Sequence, residues 1–306
     1  MSIPFDPTGA VVVGTDLSHR AEQAVDWAAN RAATHDAKLI IVLALPEVPL
    51  PTRGRLFDVM ATGDWPEHLH KAAQDRLDAL RQRVAAAHPD VQVATHVFEG
   101  VASYVLAQSS KRADLVVVGS RGQSAPAKVR VLGGTADAVV AHARGPVAVV
   151  TDLAEDAPDG PVVVGVDDSA EAEAALRLAV SEAVQRSLPL VVIHAWDMTP
   201  WLTGPLGAAA FDPVPMADSL REAAEARLAP YRAQYPGLEA RVQVESGQPS
   251  AVIVDASQGA SLVVIGSRGR GGFTGLLLGS TSKAVLRGAL CPVIVTRADD
   301  RRVSPA

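Results

Sequence analysis

Short unbroken runs of Val, Ile and Leu recur along the chain, separated by longer stretches in which Ala and Leu return at helical spacing. The second half shows the order well. "PVVVGVD" (161–167) is an apolar run of strand length, and "SAEAEAALRLAVSEAVQRS" (169–187) sets its apolar positions three and four apart, as one face of a helix requires. Ser169 is placed to cap that helix, with Glu171 and Glu173 in the first turn, where the helix dipole favours them. "LPLVVIHAW" (188–196) predicts a second strand, 197–215 a Pro/Gly-rich loop, and "MADSLREAAEARLAPYRAQY" (216–235) a helix. Then follow "EARVQVE" (239–245), alternating and so half-exposed, a helix over 248–259, a buried strand "SLVVIGS" (261–267), a helix over 280–289 and a last strand "PVIVT" (292–296). Five strands and four helices alternate strictly, and strands 1, 2, 4 and 5 are continuous apolar runs. Such runs belong to a parallel sheet covered by helices on both faces, and right-handed crossovers then give a doubly wound, Rossmann-like α/β sandwich.

The same text occurs earlier in the chain. "VVVGTDLS" (11–18) returns as "VVVGVDDS" (162–169), "VVVGSRG" (116–122) as "VVIGSRG" (263–269), and "GPVAVVT" (145–151) as "CPVIVT" (291–296). The offsets drift from 151 to 147 to 146, which places a four-residue shortening in the middle of the second copy and a one-residue shortening in its glycine loop. Two tandem domains follow, 1–151 and 161–297, with an acidic, proline-containing linker at 152–160 and a mixed-charge tail at 298–306. The linker and the repeat argue against one large ten-stranded sheet.

With 306 residues, 48% of them apolar and 20% charged, the chain has material for two cores, and no apolar run reaches membrane-spanning length. A net charge of −6 with scattered arginines leaves no basic footprint for nucleic acid. The lone Cys291 excludes an internal disulfide and a cysteine-based metal cluster, and no basic segment precedes the first apolar stretch. These features point to a cytoplasmic protein without a membrane or nucleic-acid partner.

In a doubly wound sheet, ligands sit beyond the carboxyl ends of the strands where the winding reverses. Those ends hold Gly165, Val166 and Asp167 after strand 1 of the second copy, matched by Gly14, Thr15 and Asp16 in the first. After strand 4 stand Gly266, Ser267, Arg268 and Gly269, matched by Gly119, Ser120, Arg121 and Gly122. The spacing Gly266-x2-Gly269-x9-Gly279-Ser280 leads from a strand end to a helix start. A helix N-terminus presents unpaired N–H groups and partial positive charge, and Ser280 and Thr281 add hydroxyls, so these are the parts of a phosphate site. A Walker-type GxxxxGK[ST] is absent, and 269–274 misses GxGxxG because its last position is Thr274.

On these residues the chain resembles the tandem universal stress proteins of the actinobacterial kind, over nearly all of both halves, and the G-x2-G-x9-G-[S/T] spacing resembles their ATP-binding branch. The resemblance implies an open five-stranded parallel sheet of order 3-2-1-4-5 in each domain and ATP as ligand, with Mg²⁺ entering only through the phosphates. It places Asp167 and Asp16 at the adenosine end, Ala195 and Ala44 against the adenine, and Val264, Ile265, Gly266 and Gly269 along the ribose and first phosphates, beside Arg268. Gly279, Ser280 and Thr281 would take the distal phosphates. In the first copy the matching positions are Val118, Gly119, Gly122, Gly133, Gly134 and Thr135. There the loop is one residue longer and Gly134 stands where Ser280 stands, so a firmer site is expected in the second domain. The family also implies that strand 5 of each copy, 147–151 and 293–296, pairs within the chain about a pseudo-two-fold, with a further homodimer open.

His68-x-His70 begins a charged helix without a third ligand nearby and reads as solvated, and His194 as a packed residue. No Ser-His-Asp motif is supported, and Trp196 and Trp201 border the second long loop. Rapid phosphoryl transfer needs a cation clamp, a positioned metal and a water-orienting residue, whereas the glycine loop offers backbone donors and Arg268 or Arg270 but no lysine and no evident base. The expected function is therefore ATP binding as a regulatory signal in a stress response, with slow hydrolysis or none. An ATPase or nucleotide-transfer enzyme, and a nucleotide-free interaction scaffold, are the alternatives.

Overall fold

Alternate residues of the strands feed two separate cores, one on each face of a single sheet. Val11 and Val13 pack on one face while Ala10 and Val12 pack on the other, and Val162 and Val164 alternate with Val163 in the same way. The computed structural model describes residues 3–45, 65–122, 132–151, 159–197, 213–269 and 277–298. Within these, the first half runs β1 (Ala10–Thr15), α1 (His19–Thr34), β2 (Lys38–Leu45), α2 (Trp65–Ala87), β3 (Val93–Glu99), α3 (Ala102–Ser109), β4 (Leu115–Gly119), α4 (Gly134–His142) and β5 (Val147–Val150). The second half repeats it as β6 (Val162–Gly165), α5 (Ala170–Arg186), β7 (Leu190–Trp196), α6 (Pro213–Gln234), β8 (Ala240–Ser246), α7 (Pro249–Ala256), β9 (Leu262–Gly266), α8 (Ser280–Gly288) and β10 (Val293–Thr296).

Helices α1, α2, α5 and α6 cover one face and α3, α4, α7 and α8 the other, so each half is a doubly wound sandwich. Their starts are encoded locally. Ser18 accepts from the Ala21 N–H at 3.2 Å and Ser169 from the Ala172 N–H at 3.1 Å, each filling one of the open donors of its helix. Helix α6 begins at Pro213, inside the stretch assigned above to a loop. The rest of that loop with Trp201, the glycine loop from 270 to 276, most of the linker and most of the tail lie outside the described residues.

The strand order is β3-β2-β1-β4-β5-β10-β9-β6-β7-β8. Each half keeps the order 3-2-1-4-5 with parallel neighbours, but the halves are not separate sheets: the ten strands form one. This corrects the reading that set a ten-stranded sheet aside. A linker separates domains along the chain, yet it does nothing to satisfy the open N–H and C=O groups of two edge strands. Here those edges meet antiparallel, with Val147, Ala148 and Val149 opposite Val295, Ile294 and Val293.

Candidate functional site

The carboxyl ends of the second-half strands surround a cavity of about 530 Å³. Gly165 lines it from the end of β6 with Val166 and Asp167 just beyond, Ala195 from β7, Ile265 and Gly266 from β9, Arg268 and Gly269 from the segment beyond, and Gly279 with Ser280 and Thr281 from the cap and start of α8. Val264 does not. Its side chain lies in the core of the opposite face, with Val162 and Val164, because neighbours on a strand point to opposite sides. In the first half, Gly14, Thr15, Asp16, Ala44, Val118, Gly119, Gly122, Gly133, Gly134 and Thr135 line an equivalent cavity of about 860 Å³.

Asp167 is held in place from below. Its Oδ1 accepts from the Ser169 N–H at 2.9 Å and from the Ser169 hydroxyl at 2.5 Å. Ser169 in turn caps α5, so the carboxylate is fixed to a helix start. Its other oxygen is turned toward Gly269, where a Cβ would lie 2.5 Å from Oδ2. Asp16 repeats the arrangement, with Ser18 donating from its N–H at 3.0 Å and a Cβ at Gly122 falling 2.8 Å from Oδ2. The second glycine of the G-x2-G spacing is thus required by the carboxylate that crosses the cavity.

The third glycine has another task. The Gly279 N–H donates to the Ser267 carbonyl at 2.8 Å, and Gly133 donates to Ser120 at 2.8 Å, closing the neck of each loop. A Cβ at Gly279 would stand 3.4 Å from that carbonyl, an ordinary contact, so it is the amide hydrogen bond and not a steric limit that ties this glycine to the loop neck. Its amide is consequently spent within the protein. The donors that α8 points outward are those of Ser280, Thr281 and Ser282, ahead of the first helical bond from Lys283 N–H to Gly279 O at 3.0 Å. The Ser282 hydroxyl lies behind, donating to Gly266 O at 2.8 Å and Ser267 O at 3.1 Å.

The charges around the two cavities differ. Arg268 is paired with Glu171 at 2.9 Å, and Arg227 of α6 bonds Asp168 at 2.8 Å and the Asp167 carbonyl. In the first half Arg20 occupies the position of Glu171, Arg121 lines the cavity, and Arg76 of α2 reaches its wall. At the helix start, α4 carries Asp137 in its first turn where α8 carries Lys283. Leu106 and Ile253, from the helices after β3 and β8, form the floors, within 2.6 Å of a Cβ at Gly14 and Gly165. Leu106, Ile253, Arg76 and Ser282 escaped the sequence reading. Leu106 and Ile253 stand at matching positions of the two copies, which was the one available signal.

His68 and His70 are exposed on α2, and His194 is buried in β7. No group of three or more His, Cys, Asp or Glu suited to a metal occurs among the described residues, and no helix among them is long and apolar enough to cross a membrane.

The universal stress protein family model matches residues 8–151 and again 160–297. Over nearly full length the chain is similar to universal stress protein Rv1996 of Mycobacterium tuberculosis, at 33% identity across 97% of each chain. It is 34% identical to a universal stress protein of Mycolicibacterium smegmatis, covering 94% of this chain and 96% of that one. A crystal structure of a universal stress protein from Archaeoglobus fulgidus shares the fold with a TM-score of 0.67 at 22% identity, over 94% of this chain and 98% of that one. The chain belongs to the universal stress protein family, as a tandem member with two family domains.

Proposed function

We propose that both cavities bind ATP and that the bound nucleotide acts as a regulatory ligand. The observation that carries this is a pinned carboxylate and an open helix start facing one cavity: Asp167 at the end of β6, and the first-turn amides of α8. A carboxylate suits the hydroxyls of a ribose, and a helix N-terminus suits phosphate. The volumes of about 530 and 860 Å³ lie in the range of nucleotide-sized sites. Ala195 and Ala44 leave room for a flat base beside the strand ends. Mg²⁺ would arrive on the phosphates.

The second site is the tighter one in this reading. Ser280 and Thr281 give it two hydroxyls, and Lys283 stands where α4 carries Asp137, whose charge opposes an anion at the helix start. Turnover is slow or absent, since Arg268 is already paired with Glu171 and neither cavity wall holds a lysine among the described residues. The protein acts in the cytoplasm, and a homodimer would use surfaces other than the β5–β10 seam.

Mass spectrometry of nucleotide carried through purification, followed by ATP titration of Asp167→Ala and Asp16→Ala, tests the proposal. ATP should copurify, and Asp167→Ala should cause the larger loss of affinity. Equal losses would refute the asymmetry, and absence of any ATP binding by the wild type would refute the proposal.

A further inference from the structure

Arg31 and Glu182 stand at the same position of the two copies, 151 residues apart, and they touch each other: Arg31 Nε lies 2.8 Å from Glu182 Oε1. When equivalent residues meet, a pseudo-two-fold axis runs between them, and in a truly symmetric pair each would meet itself. The neighbouring position repeats the pattern. His35 and Arg186 share the same offset and converge on Glu182 Oε2, at 3.4 and 3.2 Å. Glu182 is fully buried and Arg31 only 3% exposed, while Arg186 also lies over the Trp27 ring at 5.6 Å. Arg31 is held further by Asp114 at 3.1 Å.

The sheet beneath carries a second, independent mark. The antiparallel seam places Ala148 directly opposite Ile294, and these too are equivalent positions, 146 apart. Both side chains are buried in the core on the face covered by α1 and α5. A small residue faces a large one on the axis, beneath a cation that faces an anion.

We infer that the seam is a heterotypic recognition surface, on which each half selects the other half of the chain and rejects a second copy of itself. Pairing of two first halves would set Arg31 against Arg31 in a buried site and leave Ala148 opposite Ala148, with the volume by which isoleucine exceeds alanine unfilled. Pairing of two second halves would press Glu182 against Glu182 and crowd Ile294 on Ile294. Buried like charges and misfit shapes are how an interface discriminates against a wrong partner that is otherwise nearly identical. The selection does not depend on what the cavities hold.

A protease site placed within 152–158 and cut after purification yields two chains that can be unfolded in urea and refolded together by dilution. Native mass spectrometry should find first-with-second pairs in more than about nine of ten complexes, against about half for indiscriminate pairing. A statistical mixture overturns the inference, as do halves that remain single. The uncut chain supplies a second reading in a Cys291→Ala background. Ala148→Cys together with Ile294→Cys should give a disulfide inside one chain, because directly opposed antiparallel residues stand at bridging distance. Disulfide-linked dimers of two chains would overturn it.

Discussion

Replacing Gly269 by alanine puts the contact between the loop and Asp167 to a direct test. The new methyl carbon would lie 2.5 Å from Asp167 Oδ2, whereas a carbon–oxygen contact relaxes to about 3.3 Å, so the carboxylate must retreat by about 0.8 Å. It cannot retreat without cost, because Oδ1 is held by the N–H and the hydroxyl of Ser169. Hydrogen bonds to a charged group contribute about 1.5–3 kcal/mol each, and displacing the carboxylate weakens these as well as the hold on a ribose proposed above. A loss of about 1.4–2.8 kcal/mol in ATP binding is expected at the second site, which is about 10- to 100-fold in Kd. Isothermal titration with ATP resolves the two sites, and the first should be unchanged. Gly237→Ala is the control, since no heavy atom lies within 4 Å of a Cβ there. Full ATP affinity in Gly269→Ala, or an equal drop in the control, would refute the reasoning.

Glu182→Gln should destabilise the chain by about 3–5 kcal/mol in urea unfolding, because Arg186 stays largely buried without its carboxylate and Arg31 keeps only Asp114. In the wild type, burial pushes the Glu182 carboxyl up, but Arg31, His35 and Arg186 together outweigh it and hold it at about 2, below the ordinary 4.5. A lowered folded value gives stability that is present above pH 4.5 and is lost as pH falls toward 2. That loss is on the order of 3 kcal/mol in the wild type and should be missing from the Gln variant's pH profile. Ser282→Ala removes the hydroxyl bond shared between the two carbonyls at the loop neck and should cost about 1 kcal/mol by the same measurement. Burial pushes the Cys291 thiol up to about 12, so a thiol-specific colorimetric reagent should react only after denaturant is added. Prompt reaction in the native protein would refute the burial of this thiol.

The strands were legible because both of their faces are buried, which leaves no polar residue to interrupt the Val and Ile runs of β1, β4, β6 and β9. Ser169 announced its helix by the local chemistry of a cap. The cavity walls followed from strand ends, with the exception of Val264, where adjacent strand residues were grouped although side chains alternate. The roles of the glycines could not be read. Gly269 and Gly279 look alike in a motif, yet one faces a carboxylate and the other a carbonyl, and those neighbours are supplied by distant segments. Arg31 and Glu182 were equally silent. Each is an ordinary charged residue in an amphipathic helix until the axis brings equivalent positions together.

The antiparallel seam also sets where the two cavities face. The carboxyl ends of β1 and β4 point one way along the common sheet, and those of β6 and β9 point the opposite way. The two mouths therefore open at opposite edges of the molecule, back to back. A molecule bound at one mouth is thus out of reach of a molecule bound at the other. The chain is built as a two-ended object, with one cavity mouth toward each edge of the common sheet.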